Sequence, residues 1–290
     1  MSLKRSVVLL MAAAMSLAAA DSGFLRRQVS EVQPRPDDLT ANAVGTSYRP
    51  LFGAGDADAG QLKAVVRYGE LTVAAGGASA VVSYPAEEQM YFVTEGSATL
   101  VYAGEKARLK KFDFLYLPPG VKHGIANTSG APVKVIVMGY QIPAGRVVEA
   151  PAKLMLANAD DVALQILGSH GPTTQFKLLM GLTSSTRDKL SAASVMNSLF
   201  LMDFAPGGTN IPHNHRNEEE IYLLLRGSGD MVAGRDAEGK DVRHAVTQGD
   251  AFFLKPGTQV GYYSHAKEGE AHDLILAVRS NLPGARPPGQ

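Results

Sequence analysis

Two histidines and a glutamate, His213, His215 and Glu220, carry the most informative chemistry in this chain. They stand in the spacing Gly207-x5-His213-x-His215-x4-Glu220-x6-Gly227. Residues two apart on a strand point to one face, because side-chain direction there has a period of two. A carboxylate opening the next strand can close on such a pair. Two neutral imidazoles and one carboxylate form a mixed nitrogen and oxygen donor set suited to one divalent transition metal. Glu220, Tyr222 and Leu224 share a strand face. The Tyr222 hydroxyl can therefore contact a ligand or supply a proton, and Tyr262 is a similar candidate. Arg279 can grip a carboxylate with two parallel hydrogen bonds. Glu218 and Glu219 read as a solvated turn, and His170, His244 and His272 fall in no such spacing.

Composition narrows the partners. Lys plus Arg and Asp plus Glu both number 28 in the 290 residues, and there is no cysteine. Without a basic excess there is no electrostatic case for nucleic acid or an anionic membrane, so a small-molecule partner is expected. Without cysteine, no thiol nucleophile, iron–sulfur cluster or Cys-type zinc site can form. Lys4 and Arg5 precede an uncharged apolar run, Ser6 to Ala20, that ends in small residues. This is the pattern of a secretory signal peptide over 1–20, shorter than the roughly 20 apolar residues of a membrane span. The mature protein is expected in the periplasm or secreted, with no membrane attachment.

Residues 21–60 read as a Pro- and Gly-rich arm. From Gln61 onward, short β-rich runs alternate with turn residues, as in a barrel or sandwich. A linker over 151–195 separates two such regions, 61–150 and 196–282, and 283–290 form a tail. Helical pieces are expected at Ala157–Leu167 and Ser184–Ala193. The two β-rich regions also repeat in detail. Gly96-Ser97 matches Gly227-Ser228, and Asp113-Phe114-Leu115-Tyr116-Leu117 matches Asp250-Ala251-Phe252-Phe253-Leu254. Internal duplication is the plainest account.

These residues resemble the cupin superfamily, whose two motifs lie on a small antiparallel β-barrel. The first motif is met by Gly207, His213, His215, Glu220 and Gly227. The second is met in the first repeat by Pro118, Gly120, His123 and Asn127, with Phe112 in place of its first glycine. The resemblance implies an all-β chain of two jelly-roll-like barrels joined by a short helical connection. Each copy lacks part of the signature. In the first repeat the histidine positions fall on Val82 and Tyr84, or on Ser83 and Pro85, and the glutamate position falls on Gln89. The first barrel is therefore expected to hold no metal, with His123 a hydrogen-bonded barrel residue. In the second repeat the last histidine position is Val260. The fourth protein ligand is then none, Gln259, or one of His265 and His272.

The chain is also loosely similar to bicupins of the ureidoglycine aminohydrolase type, through Phe204-Ala205-Pro206-Gly207 and Gln259-Val260-Gly261-Tyr262. That resemblance implies manganese in the second barrel only and a glutamine ligand, here Gln259. The order His, His, Glu and the presence of Arg279 depart from that type.

The expected function is an exported, metal-dependent enzyme acting on a small polar metabolite. Hydrolase, isomerase and dioxygenase chemistry all remain open, and the alternative is a non-catalytic ligand-binding protein. The metal is manganese, iron, nickel or zinc, with manganese or iron favoured. The 21–60 arm could swap between subunits, which allows a homo-oligomer.

Overall fold

The computed structural model describes residues 23–168 and 170–283. The expected leader lies outside them. Two antiparallel β-barrels form from the two repeats. One is a nine-stranded sheet built within residues 44–158. The other pairs a seven-stranded sheet with a four-stranded one. The first sheet takes in the strand Val44–Gly53 and the second takes in Thr174–Leu182, both outside the limits read from sequence. Among the described residues no helix is long and apolar enough to cross a membrane.

Period-two alternation explains why the repeated aromatic strands are buried on both faces. In Asp113–Leu117, Leu115 and Leu117 fill the N-terminal barrel, while Phe114 and Tyr116 pack between the barrels. In Asp250–Leu254, Phe252 and Leu254 fill the C-terminal barrel, and Ala251 and Phe253 join the same inter-barrel core. Burying a side chain such as Phe253 is worth roughly 1.5–3 kcal/mol. The inter-barrel core therefore holds the two halves together.

The arm and the linker are exchanged between halves. Phe24–Gln28 runs ahead of the first barrel but pairs with Asp250–Leu254 of the second. Met155–Asn158 runs ahead of the second barrel but pairs with Asp113–Leu117 of the first. Each covers a sheet edge that would otherwise expose unpaired backbone.

This exchange corrects the helical expectations. The 157–167 segment opens in an edge strand and continues into a single 3-10 turn, Ala159–Asp161. Pairing with the open edge outweighs weak helix propensity. In 184–193, residues Leu190–Ala193 form a short strand parallel to Thr174–Leu182.

Phe112, which replaces the motif glycine, has φ +67°, and Gly249, its counterpart in the second repeat, has φ +93°. The first barrel thus keeps the backbone turn without the residue that adopts it freely, at a cost of about 1–2 kcal/mol.

Candidate metal centre

The strand Thr209–Asn214 delivers His213, and His215 follows just past its end. Strand alternation sets the rest. His213 stands opposite Val260, and Asn214 stands opposite Gln259. His213 Nδ1 lies 2.9 Å from the Ile211 carbonyl, and His215 Nδ1 lies 3.0 Å from a Glu218 carboxylate oxygen. The Ile211 carbonyl can only accept, which puts the His213 proton on Nδ1 and leaves its Nε2 bare. At His215 Nδ1 the Glu218 oxygen at 3.0 Å is nearer than Arg279 Nη1 at 3.4 Å, which favours the same tautomer.

The two Nε2 atoms are 3.1 Å apart. Two bare lone pairs at that distance repel unless a cation or shared proton lies between them. Two metal–nitrogen bonds of about 2.1 Å meeting at a right angle place the nitrogens about 3.0 Å apart, so the spacing suits a divalent ion. Glu220 Oε2 lies 3.7 Å from His215 Nε2 and is buried without a hydrogen-bond partner. Such an orphaned carboxylate oxygen is costly unless a cation meets it. The donor types and the imidazole spacing are compatible with a divalent ion, although among the described residues no group of three or more His, Cys, Asp or Glu side chains is arranged to hold one.

Charge is balanced around the donors. Arg279, opposite Glu220 on the neighbouring strand, reaches Glu218 at 3.5 Å and Glu220 at 3.9 Å. Burial pushes the Glu220 carboxyl above its usual range, against the pull of His215 and Arg279. Burial also pushes Glu218 upward, but His215 and Arg279 outweigh it and leave that group below the usual range. Burial lowers His213 despite its hydrogen bond to Ile211, which keeps the ring neutral, as a ligand must be.

A pocket opens over these groups, walled by Leu167, Phe176, Leu178 and Phe200, with Arg187 and His170 also on its lining. Its free interior holds on the order of one or two waters, so it suits a ligand of few atoms. Tyr222 lines it as expected, lies beside Glu220 and Asn210, and is held well above the usual tyrosine range by burial.

Two expected site residues lie elsewhere. Gln259 faces the opposite side of its strand, where it lines an outer groove with Asn214, Pro256 and Gly257. The inward position belongs to Val260, buried in the barrel core. Tyr262 points inward but away from this pocket: its ring packs on Phe204, and its hydroxyl donates to Asp273 at 2.8 Å.

Three residues were undervalued in sequence. Glu218 orients His215. Glu219 is buried and accepts three backbone N–H groups from 63–65. His170 was assigned no role. The duplication held a signal for the first two, because Glu87-Glu88-Gln89 repeats as Glu218-Glu219-Glu220.

The first barrel mirrors this site with its parts redistributed. Val82 bridges His123, as His213 stands opposite Val260. That selects Val82 and Tyr84 over Ser83 and Pro85 as the equivalents of the histidine pair. His123 is 2% exposed and donates from Nδ1 to Val121 at 3.0 Å. A guanidinium occupies the same region in both barrels but comes from exchanged strand positions. Arg67 pairs with Gly139 in the first barrel, and Ser198 with Arg279 in the second. A Cβ at Gly139 would sit 2.6 Å from the Arg67 side chain, so the glycine makes room for the exchange.

The cupin domain family matches residues 69–139 and 200–274. A germin-like protein (subfamily 2 member 4) of Arabidopsis thaliana is 29% identical over 105 residues, 36% of this chain and 47% of its own length. Oxalate oxidase 1 of Hordeum vulgare is 30% identical over 89 residues, 30% of this chain and 43% of its own length. The matched stretch thus spans about half the length of these curated relatives. Among solved structures, a putative glyoxylate-induced protein from Pseudomonas aeruginosa superposes with TM-score 0.71 over 92% of both chains at 15% identity. A Bacillus subtilis oxalate decarboxylase superposes with TM-score 0.64 over 89% of this chain and 77% of that one, at 13% identity.

Proposed function

The chain belongs to the cupin superfamily and carries two cupin domains, and from that premise we propose that it is a metal-dependent enzyme acting on a small carboxylate. One mononuclear divalent ion is held in the C-terminal barrel by His213, His215 and Glu220. Manganese or iron is favoured over nickel and zinc. The observation that carries this reading is the pair of Nε2 atoms of His213 and His215, 3.1 Å apart, beside a buried Glu220 oxygen that has no hydrogen-bond partner.

A bound ion supplies Lewis acidity and a chelation point. The protein supplies the remainder. Arg279 stands beside the donors with its Nε buried, 3.9 Å from a Glu220 oxygen and without a hydrogen-bond partner, placed to receive a substrate carboxylate once Glu220 is engaged elsewhere. Phe176, Leu178 and Phe200 exclude water and strengthen every charge interaction within. Tyr222, kept protonated by burial, is a hydrogen-bond donor to charge developing beside Glu220. The small pocket and the oxalate-acting proteins among the relatives make oxalate the first substrate to test. The signal-like sequence pattern over 1–20 supports a periplasmic or secreted location.

The test is metal analysis of purified protein, followed by oxalate turnover with dissolved oxygen recorded in the same vessel. One ion per chain, lost in His213→Ala and Glu220→Ala, is the expected result. Oxalate loss with oxygen uptake indicates an oxidase, and loss to formate and carbon dioxide without net uptake a decarboxylase. A metal-free protein that neither binds added Mn(II) nor turns over oxalate would overturn the proposal in favour of a ligand-binding protein.

A further inference from the structure

Val260 occupies the place where the cupin pattern has a histidine, and it is sealed in the barrel core. The ion is therefore left one imidazole short on that side. The loop between the barrels approaches from another direction. Gln165 and Phe176 clamp its ends through two backbone hydrogen bonds of 2.9 and 2.8 Å. His170, at the crown, bonds through its own N–H to the Leu167 carbonyl at 2.9 Å. Its ring packs against Phe176 and meets the His213 ring edge to face, with centroids 4.9 Å apart. Its Nδ1 is buried and has no partner. It lines the same pocket as His213, His215 and Glu220.

We propose that His170 is the third imidazole of the metal centre, delivered by the inter-barrel loop in place of the histidine lost at Val260. The inference rests on the metal site proposed above. It converts a two-histidine, one-carboxylate set into three histidines and one carboxylate. Leu167, three residues before His170, lines the same pocket.

The experiment titrates the metal-free full-length protein with Mn(II) and counts imidazole nitrogens on bound Mn(II) by pulsed electron paramagnetic resonance. Wild type, His170→Ala, His170→Gln and His213→Ala are compared, with thermal melts confirming that each variant is folded. Three nitrogens in wild type, two in His170→Ala, and an affinity loss of about 100-fold, at the top of the range for an outer-shell partner, are expected. Two nitrogens in wild type with unchanged affinity in His170→Ala would overturn the role of His170 while leaving the three-ligand centre intact. No binding in wild type would sink both.

Discussion

Glu88 and Glu219 hold equivalent positions in the two repeats, and each closes on backbone belonging to the other half of the chain. Glu88 accepts N–H bonds from Ser194, Val195 and Met196 at 2.7, 2.7 and 2.8 Å. Glu219 accepts them from Lys63, Ala64 and Val65 at 2.6, 2.8 and 3.1 Å. Each stands one residue before the site position of its barrel, Gln89 or Glu220. The contacts that join the halves therefore also set the strand that carries the site.

Replacing either carboxylate strands buried N–H groups. Glu88→Gln and Glu219→Gln are each expected to destabilise the chain by about 2–4 kcal/mol, since each unsatisfied buried group costs about 1–3 kcal/mol. Urea unfolding measures this. A change under about 0.5 kcal/mol in both variants would show that the reciprocal contacts do not hold the halves together.

His123 makes stability depend on pH. Burial lowers its folded value to about 4, from an ordinary 6.5. Between those values the unfolded chain binds a proton that the folded chain refuses, so stability rises with pH through that window and is lost as pH falls. The full effect is about 3 kcal/mol at 1.36 kcal/mol per unit. The difference between wild type and His123→Gln, followed by urea midpoints from pH 4 to 7, should shrink as the medium is acidified. A difference independent of pH would contradict this.

Metal removal should be visible in the melt. At a hundredfold excess of ion over Kd, binding stabilises the folded state by about 2.7 kcal/mol. A chelator is expected to lower Tm, with Mn(II) restoring it. His213→Ala should respond to neither.

Gln259→Ala should leave metal stoichiometry unchanged, because Gln259 faces the outer groove. Tyr262→Phe should also retain the metal while losing about 1–3 kcal/mol, since Asp273 is left buried without its donor. Loss of the ion in Gln259→Ala would show that the strand has been read on the wrong face, and loss in Tyr262→Phe that its bond to Asp273 supports the metal centre.

Glu218→Gln tests the orientation of His215. Outer-shell partners of this kind are worth roughly 10–100-fold in metal affinity, and a loss in that range by calorimetric titration is expected. Unchanged affinity would mean that His215 needs no such partner.

Much was legible from residue order alone. Motif spacing and period-two alternation anticipated both barrels, the pairwise nearness of His213 to His215 and of His215 to Glu220, and the inward direction of Tyr222, because these depend on local geometry within one strand or hairpin. The helical expectations for 157–167 and 184–193 failed because the deciding term was a distant sheet edge, which no local propensity encodes. Gln259 failed for a smaller reason: a one-residue displacement on a strand reverses the face. The reciprocal carboxylates, the exchange of guanidinium positions between Arg67 and Arg279, and the approach of His170 belong to tertiary structure. They join residues tens to more than a hundred positions apart: closure of each barrel brings the guanidinium and, in the second, His170 to the site, and packing of the two barrels brings each carboxylate to the other half's backbone.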